Sequence, residues 1–60
     1  MPEVIITRMD TGKEDHREFI TYKDAYQFFL NWCIERNYEH DDNATEAGGT
    51  GYDYTIEVKP

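Results

Sequence analysis

Apart from carboxylates, three side chains of this sequence are of the types that act as nucleophiles or metal ligands. They are His16, Cys33 and His40. Cys33 lies near the middle of an apolar helical pattern, where a thiol is normally a small, inert core residue. Neither histidine stands at a helical spacing from Cys33 that would guarantee contact. The sequence therefore predicts no catalytic nucleophile, and we expect a protein that is not an enzyme.

Oxygen ligands are concentrated in the segment that contains His40, Asp41, Asp42, Asn43 and Glu46. A calcium loop of the EF-hand type needs a glycine at its sixth position and a bidentate glutamate at its twelfth. Counting from either aspartate gives glutamate or alanine at the sixth position, and tyrosine or aspartate at the twelfth. We therefore expect a solvated acidic loop with neither a metal nor a cofactor.

The glycine-rich run at residues 48–51 resembles a phosphate-binding loop in composition. Such a loop follows a strand and opens a helix, so that the helix N-terminus faces the anion. Here the run follows a helical pattern and precedes a strand pattern, and acidic residues on both sides would repel a phosphate. We expect a mobile acidic and glycine-rich loop over about residues 39–51.

The strongest structural pattern is a helix over residues 22–36 that is apolar over an arc of roughly 240°. Thr21 and Asp24 form a capping box at its start, and Asn37 is suited to its end. An ordinary surface helix needs about half of that arc. One small sheet cannot cover the remainder, so we expect a partner to meet it. The helical residues predicted to contact that partner are Phe28, Trp32, Leu30, Ile34, Tyr22 and Arg36.

Strands are predicted at residues 3–9, 16–20 and 52–59, with a turn at residues 10–13 in which Gly12 supplies a left-handed residue. The order ββαβ with a right-handed crossover predicts an α+β fold. Its sheet has three antiparallel strands in the order 2-1-3, with the helix packed on one face. The chain forms one domain over residues 1–60.

Alternation of side chains along each strand assigns residues to the two faces of this sheet. Val4, Ile6, Phe19 and a row from the last strand are predicted to face the helix. That row consists of Tyr52, Tyr54, Ile56 and Val58. The opposite, open face is predicted to carry Ile5, Met9 and Ile20.

Thirteen acidic residues against six basic ones give a formal charge of −7, and most of the excess follows residue 38. This charge disfavours direct binding to nucleic acid or to an anionic membrane, and it favours a partner with a basic surface. The same excess would also keep a small, aromatic-rich protein soluble. The acids predicted to bind the partner are Glu39, Asp41, Asp42, Glu46, Asp53 and Glu57.

The start of the sequence lacks the basic and apolar regions of a secretory signal, and no apolar run approaches the roughly 18 residues of a membrane span. A single cysteine cannot form an internal disulfide, which is typical of a reducing compartment. We therefore expect a cytoplasmic protein.

Two functions fit these features. The first is a small acidic inhibitor or regulator of a basic, nucleic-acid-handling protein, acting in part by imitating the charge of a phosphate backbone. The composition resembles that of small phage-encoded inhibitors and DNA mimics as a class, although the acids are scattered along the sequence. The alternative is a homodimeric structural or accessory module, whose acids serve only solubility.

Overall fold

A computed structural model of the protein describes residues 1–41 and 43–60. The elements in this part of the chain are β1 (Glu3–Arg8), β2 (Glu14–Glu18), α1 (Tyr22–Glu35), β3 (Glu46–Gly48) and β4 (Tyr54–Lys59). The strands form one antiparallel sheet in the order β2-β1-β4-β3, and α1 packs on one of its faces. The predicted α+β class is confirmed. The prediction of three strands is wrong, because residues 46–48 of the expected loop form β3.

Both ends of α1 are fixed by local hydrogen bonds. At the start, the hydroxyl of Thr21 accepts a hydrogen bond from the backbone N–H of Asp24 at 3.2 Å. At the end, Asn37 adopts a left-handed φ of 56° and donates its N–H to the carbonyl of Ile34. The N–H of Tyr38 reaches the carbonyl of Cys33 at 2.8 Å. This pair of bonds is a Schellman motif, so both predicted boundary residues are confirmed.

The core lies between α1 and the inner face of the sheet. On the helix, the buried residues recur at the spacing of a single face: Ala25, Phe29, Trp32 and Cys33. The sheet meets them with aliphatic side chains that are neighbours in register, because β1 pairs with β4 through Val4 opposite Val58 and Ile6 opposite Ile56. Ala47 of β3 joins this core beside Ile56. The chain thus has a core on one side of its sheet only.

Four predicted strand ends differ from those observed, since β1 and β2 also end at Arg8 and Glu18 rather than at residues 9 and 20. β2 begins two residues earlier than expected, because the turn around Gly12 closes tightly. The N–H of Arg8 donates to the carbonyl of Lys13 at 2.9 Å, and pairing continues directly into Glu14. β4 begins at Tyr54, so Tyr52 lies in the preceding turn and is exposed rather than facing α1.

β3 was missed because its residues carry no strand pattern. Glu46, Ala47 and Gly48 are all poor strand formers, and only their pairing with β4 holds them extended. Gly48 has a φ of +88°, and a Cβ at this position would overlap the backbone carbonyl oxygen of Tyr54. Glycine is therefore required where β3 approaches β4.

The part of the chain that the structure describes has no helix that is both long enough and apolar enough to cross a membrane. α1 itself is 14 residues long, and a bilayer-spanning helix needs about 20 residues.

Replacing Phe29 with alanine tests the one-sided core. Its side chain is fully buried, so we expect Phe29→Ala to lower the free energy of unfolding by about 3–5 kcal/mol, as measured by urea denaturation. The control is Ile34→Ala on the same helix, whose side chain is 67% exposed. We expect that variant to stay within about 0.5 kcal/mol of the parent. Equal losses in the two variants would contradict this account of the core.

Paired glycine substitutions test the fourth strand. In Gly48→Ala, the new Cβ is strained by the positive φ and also overlaps the backbone carbonyl of Tyr54. In Gly49→Ala, φ is also positive, but no atom of the described residues lies near the new Cβ. Left-handed strain alone amounts to roughly 1–2 kcal/mol, so we expect Gly48→Ala to lower the melting temperature further. It should also speed exchange of the Val58 amide proton, which is bonded to the carbonyl of Thr45 in the described structure. Similar melting temperatures for the two variants would mean that β3 does not contact β4 as described.

Candidate protein-binding surface

The face of the sheet that points away from α1, called the open face, is rich in glutamate. Because side chains alternate along a strand, every second residue of each strand contributes to it. In register, Glu3 lies opposite Glu18, Ile5 opposite His16, and Thr7 opposite Glu14. The five acids on this face come from all four strands: Glu3, Glu14, Glu18, Glu46 and Glu57.

Two pairs of these glutamates lie directly opposite each other on neighbouring strands. Glu3 is the register partner of Glu18, and Glu46 is the register partner of Glu57. Like charges in such positions destabilise a sheet. Lys59 offsets the repulsion in part, because it lies opposite Glu3 and its Nζ is 3.8 Å from a carboxylate oxygen of Glu57. Five glutamates thus share this face with one lysine and one histidine, so the charge of the face is strongly negative.

His16 lies between two of these carboxylates. Its Nε2 is 2.9 Å from an oxygen of Glu14 and its Nδ1 is 3.3 Å from an oxygen of Glu3. These hydrogen bonds, with Glu14 first and Glu3 second, raise the pKa of the imidazole above its ordinary value of 6.5. The three side chains link β2 to β1 across the open face. Protonation of His16 removes part of the negative charge of that face.

The centre of the open face is apolar. Ile5 is only 9% exposed although α1 lies on the other side of the sheet. Its register partners are His16 and Glu57, and the stems of long polar side chains can cover an apolar neighbour in this way. Met9 continues the apolar strip at the end of β1, with its sulfur accepting a hydrogen bond from the hydroxyl of Thr55 at 3.0 Å. Carboxylates thus surround an apolar strip.

The helical residues predicted to contact a partner differ widely in exposure. Trp32 is 8% exposed and belongs to the core. Phe28 and Leu30 are half-buried and pack against that core. Ile34 and Tyr22 are exposed. Ile34 and Tyr22 are therefore uncovered, as expected. Phe28, Leu30 and Trp32 are covered by other parts of the chain.

Aromatic rings and arginines provide that cover. The ring of Phe19 lies 5.5 Å from that of Phe28, and the guanidinium of Arg17 lies 5.0 Å from the latter ring. At the other end of α1, the guanidinium of Arg36 lies 4.3 Å from the centre of the Trp32 ring. Such cation–π contacts hold an arginine over an aromatic face. Arg36 thus shields the tryptophan that was predicted to meet a partner.

The acids predicted to bind a partner fall into separate places. Glu46 and Glu57 lie together on the open face. Glu39, Asp41 and Glu46 line a groove beside β3. Asp53 lies in the turn before β4 and lines a smaller cavity. Asp42 lies outside the described residues.

Three acids of the open face were missed by the sequence interpretation: Glu3, Glu14 and Glu18. Glu3 is the first residue of β1. Glu14 and Glu18 lie in the segment EDHRE, which has no apolar alternation to show which residues face the core. The signal was available in the spacing, since residues 14, 16 and 18 must share a face once the segment is a strand. Only the register with β1 shows that this face is the open one.

Cys33 is fully buried in the core, and burial raises the pKa of its thiol. A thiolate is needed for nucleophilic attack, so this environment makes the sulfur unreactive. Within residues 1–41 and 43–60, no group of three or more histidine, cysteine, aspartate or glutamate side chains is arranged to hold a metal ion.

The pH dependence of stability tests the link through His16. Because the pKa is raised in the folded state, the stabilisation by protonated His16 is fully present below the ordinary value of 6.5 and is lost as the pH rises through the folded pKa. NMR titration of the imidazole should give a pKa that Glu14→Gln and Glu3→Gln each lower. Glu35→Gln, on the exposed side of α1, should leave it unchanged. An unshifted pKa in Glu14→Gln would refute the contact.

Comparison with protein-family models, with curated proteins and with solved structures gives no match for this chain. Three features of the described residues bear on function. These are the five glutamates of the open face, the apolar strip that they surround, and the groove beside β3.

Proposed function

We propose that this protein is a small acidic inhibitor or regulator that binds the basic surface of a nucleic-acid-handling protein through the open face of its sheet. The observation that carries the proposal is the placement of like charges at facing register positions, Glu3 opposite Glu18 and Glu46 opposite Glu57. Each lowers the stability of the sheet, and a protein tolerates such a loss where the residues serve binding. A basic surface would relieve both repulsions at once.

The dimensions of the open face suit a charged protein surface. Strands lie about 4.8 Å apart and every second residue along a strand is about 6.7 Å away. The five glutamates of four strands therefore occupy an area on the order of 14 Å across. This is a dense array of negative charge, and a protein built to bind phosphates carries a matching array of Lys and Arg. The acids that are scattered in the sequence are gathered by the fold.

The apolar strip is a second observation in favour of a binding surface, because a face that only kept acidic molecules apart would not need apolar residues. Protein interfaces commonly have an apolar centre and a polar rim. Met9, which is 47% exposed, supplies apolar surface at one end of the strip, Ile5 lies buried beneath its neighbours, and the glutamates supply the polar groups. Charge would then steer the encounter, since complementary fields raise association rates and make them sensitive to salt.

Homodimerisation, the alternative expected from the sequence, is compatible with this proposal. Its support is the exposure of large apolar side chains, above all Ile20 at 84% and Ile34 at 67%. These two lie near opposite ends of α1, which at 1.5 Å per residue are about 18 Å apart. A dimer formed through either end would leave the open face free and would present two acidic faces.

The test replaces one acid of each like-charged pair. In Glu18→Gln/Glu57→Gln, we expect the melting temperature to stay equal or rise, because a repulsion is removed from each pair. The tagged variant should retain fewer nucleic-acid-binding proteins from a nuclease-treated bacterial lysate than the parent does. A short DNA duplex and added salt should each release those proteins from the parent, since duplex and protein compete for the same basic surface.

The matched control is Glu35→Gln/Asp10→Asn, which changes the net charge equally at exposed positions outside the open face. We expect it to retain partners as the parent does. Retention of acidic proteins only, or equal losses in the two double variants, would show that the open face does not bind as proposed. If the duplex does not release the bound proteins, the part of the proposal in which the protein imitates a phosphate backbone is wrong.

A further inference from the structure

A groove of about 890 Å³ runs beside β3, at the edge of the sheet farthest from β2. One wall is β3 with Gly49, which follows it, and the other is formed by residues 38–41 after α1. The residues that line it are Tyr38, Glu39, His40, Asp41, Ala44, Glu46, Ala47, Gly48, Gly49, Tyr52 and Thr55. Glu46 and Thr55 also belong to the open face, so the groove continues that face around the edge of the sheet.

β3 presents free backbone groups to this groove. The N–H of Val58 donates to the carbonyl of Thr45 at 2.8 Å, and the N–H of Gly49 donates to the carbonyl of Tyr54 at 3.2 Å. In an antiparallel ladder, residues directed towards the neighbouring strand alternate with residues directed away from it. Glu46 is therefore directed away from β4. In the described part of the chain, no turn or loop hydrogen bond involves its N–H or C=O.

The two edges of the sheet differ in how they are protected. All five side chains of β2 are charged or imidazole groups and all are exposed, which is how native proteins discourage pairing at an edge. β3 carries only one such side chain, that of Glu46, followed by alanine and glycine. An incoming strand could therefore approach β3 without displacing bulky side chains.

The walls of the groove favour a basic chain. Among the described residues that line it are three carboxylates, those of Glu39, Asp41 and Glu46, and no lysine or arginine. The rings of Tyr38 and Tyr52 lie 4.6 Å apart at one end. Aromatic faces attract guanidinium and ammonium groups, and carboxylates pair with them. Together these groups match alternate basic side chains on an extended segment.

We propose that the groove binds an extended, arginine- or lysine-rich segment of the partner, which adds to β3 as a fifth strand. Backbone hydrogen bonds to Glu46 would hold the segment, and the carboxylates and tyrosines would select its basic side chains, as in other cases of strand addition. This inference rests on the proposed function and names the part of the partner that enters the groove.

The probe is an acetylated and amidated octapeptide of alternating threonine and arginine. It is titrated into the isotope-labelled protein, and binding is measured from the amide NMR spectra of the protein. We expect saturable shifts at Glu46, Gly48 and Gly49, together with slower exchange of the Glu46 amide proton. The matched probe is the same peptide with alternate backbone nitrogens methylated on one edge. The methylated peptide keeps every charge but cannot pair as a strand. We expect it to bind at least about tenfold more weakly, because about two backbone hydrogen bonds are lost.

Two substitutions separate strand pairing from charge on the protein side. Glu46→Gln removes the carboxylate and keeps the N–H, whereas Glu46→Pro removes both, and proline is tolerated on an edge strand. We expect Glu46→Gln to weaken binding a few-fold and Glu46→Pro to weaken it by a further factor of about ten. Thermal unfolding checks that both variants fold. The methylated peptide keeps the proposal open to refutation if Glu46→Pro does not fold.

Equal binding of the two peptides would overturn strand addition, and so would shifts confined to β2 and β1. Either result would leave the proposed function standing if Glu18→Gln/Glu57→Gln still loses its partners. Conversely, peptide binding at β3 with no effect of the open-face substitutions would separate the groove from that function.

Discussion

One helix can cover only one face of a sheet, and this constraint determines the rest of the molecule. Phe29, with its neighbours on the buried side of α1, packs on Val4, Ile56 and Val58. Within residues 1–41 and 43–60, α1 is the one helix, and no element packs on the opposite face of the sheet. Small domains bury a limited share of their surface. Here the open face carries five glutamates, and Ile5 at its centre is buried between its register partners His16 and Glu57.

The helix and the order of the long strands were predictable because local signals and the pattern of apolar residues agreed. Thr21 and Asn37 marked the ends of α1 by their own hydrogen-bonding chemistry. β1 was recognisable by its β-branched run and β4 by its alternation. β3 was not predictable, since Glu46, Ala47 and Gly48 have no strand preference of their own. Its extended form depends on β4, which lies several residues further along the chain.

The surfaces were harder to predict than the elements. The wide apolar arc of α1 indicated uncovered flanks, yet covering groups came from outside the regular elements or from polar residues. Phe19 and Arg17 lie against Phe28, while Tyr38 and Arg36 lie against Trp32. Arginine counts as polar in any hydrophobic pattern, although its guanidinium can cover a ring. The gathering of glutamates on one face likewise required the strand register, which no single segment encodes.

The unequal protection of the two sheet edges has a consequence for assembly. A fibre grows by edge-to-edge pairing only if every subunit can pair at both of its edges. In this sheet the β2 edge is exposed and fully polar, with a net negative charge, so two such edges repel each other. If a partner segment adds to β3 as proposed above, the outer edge on that side of the sheet belongs to the partner chain. The charge of the β2 edge therefore disfavours growth of a stack through pairing of two copies at that edge.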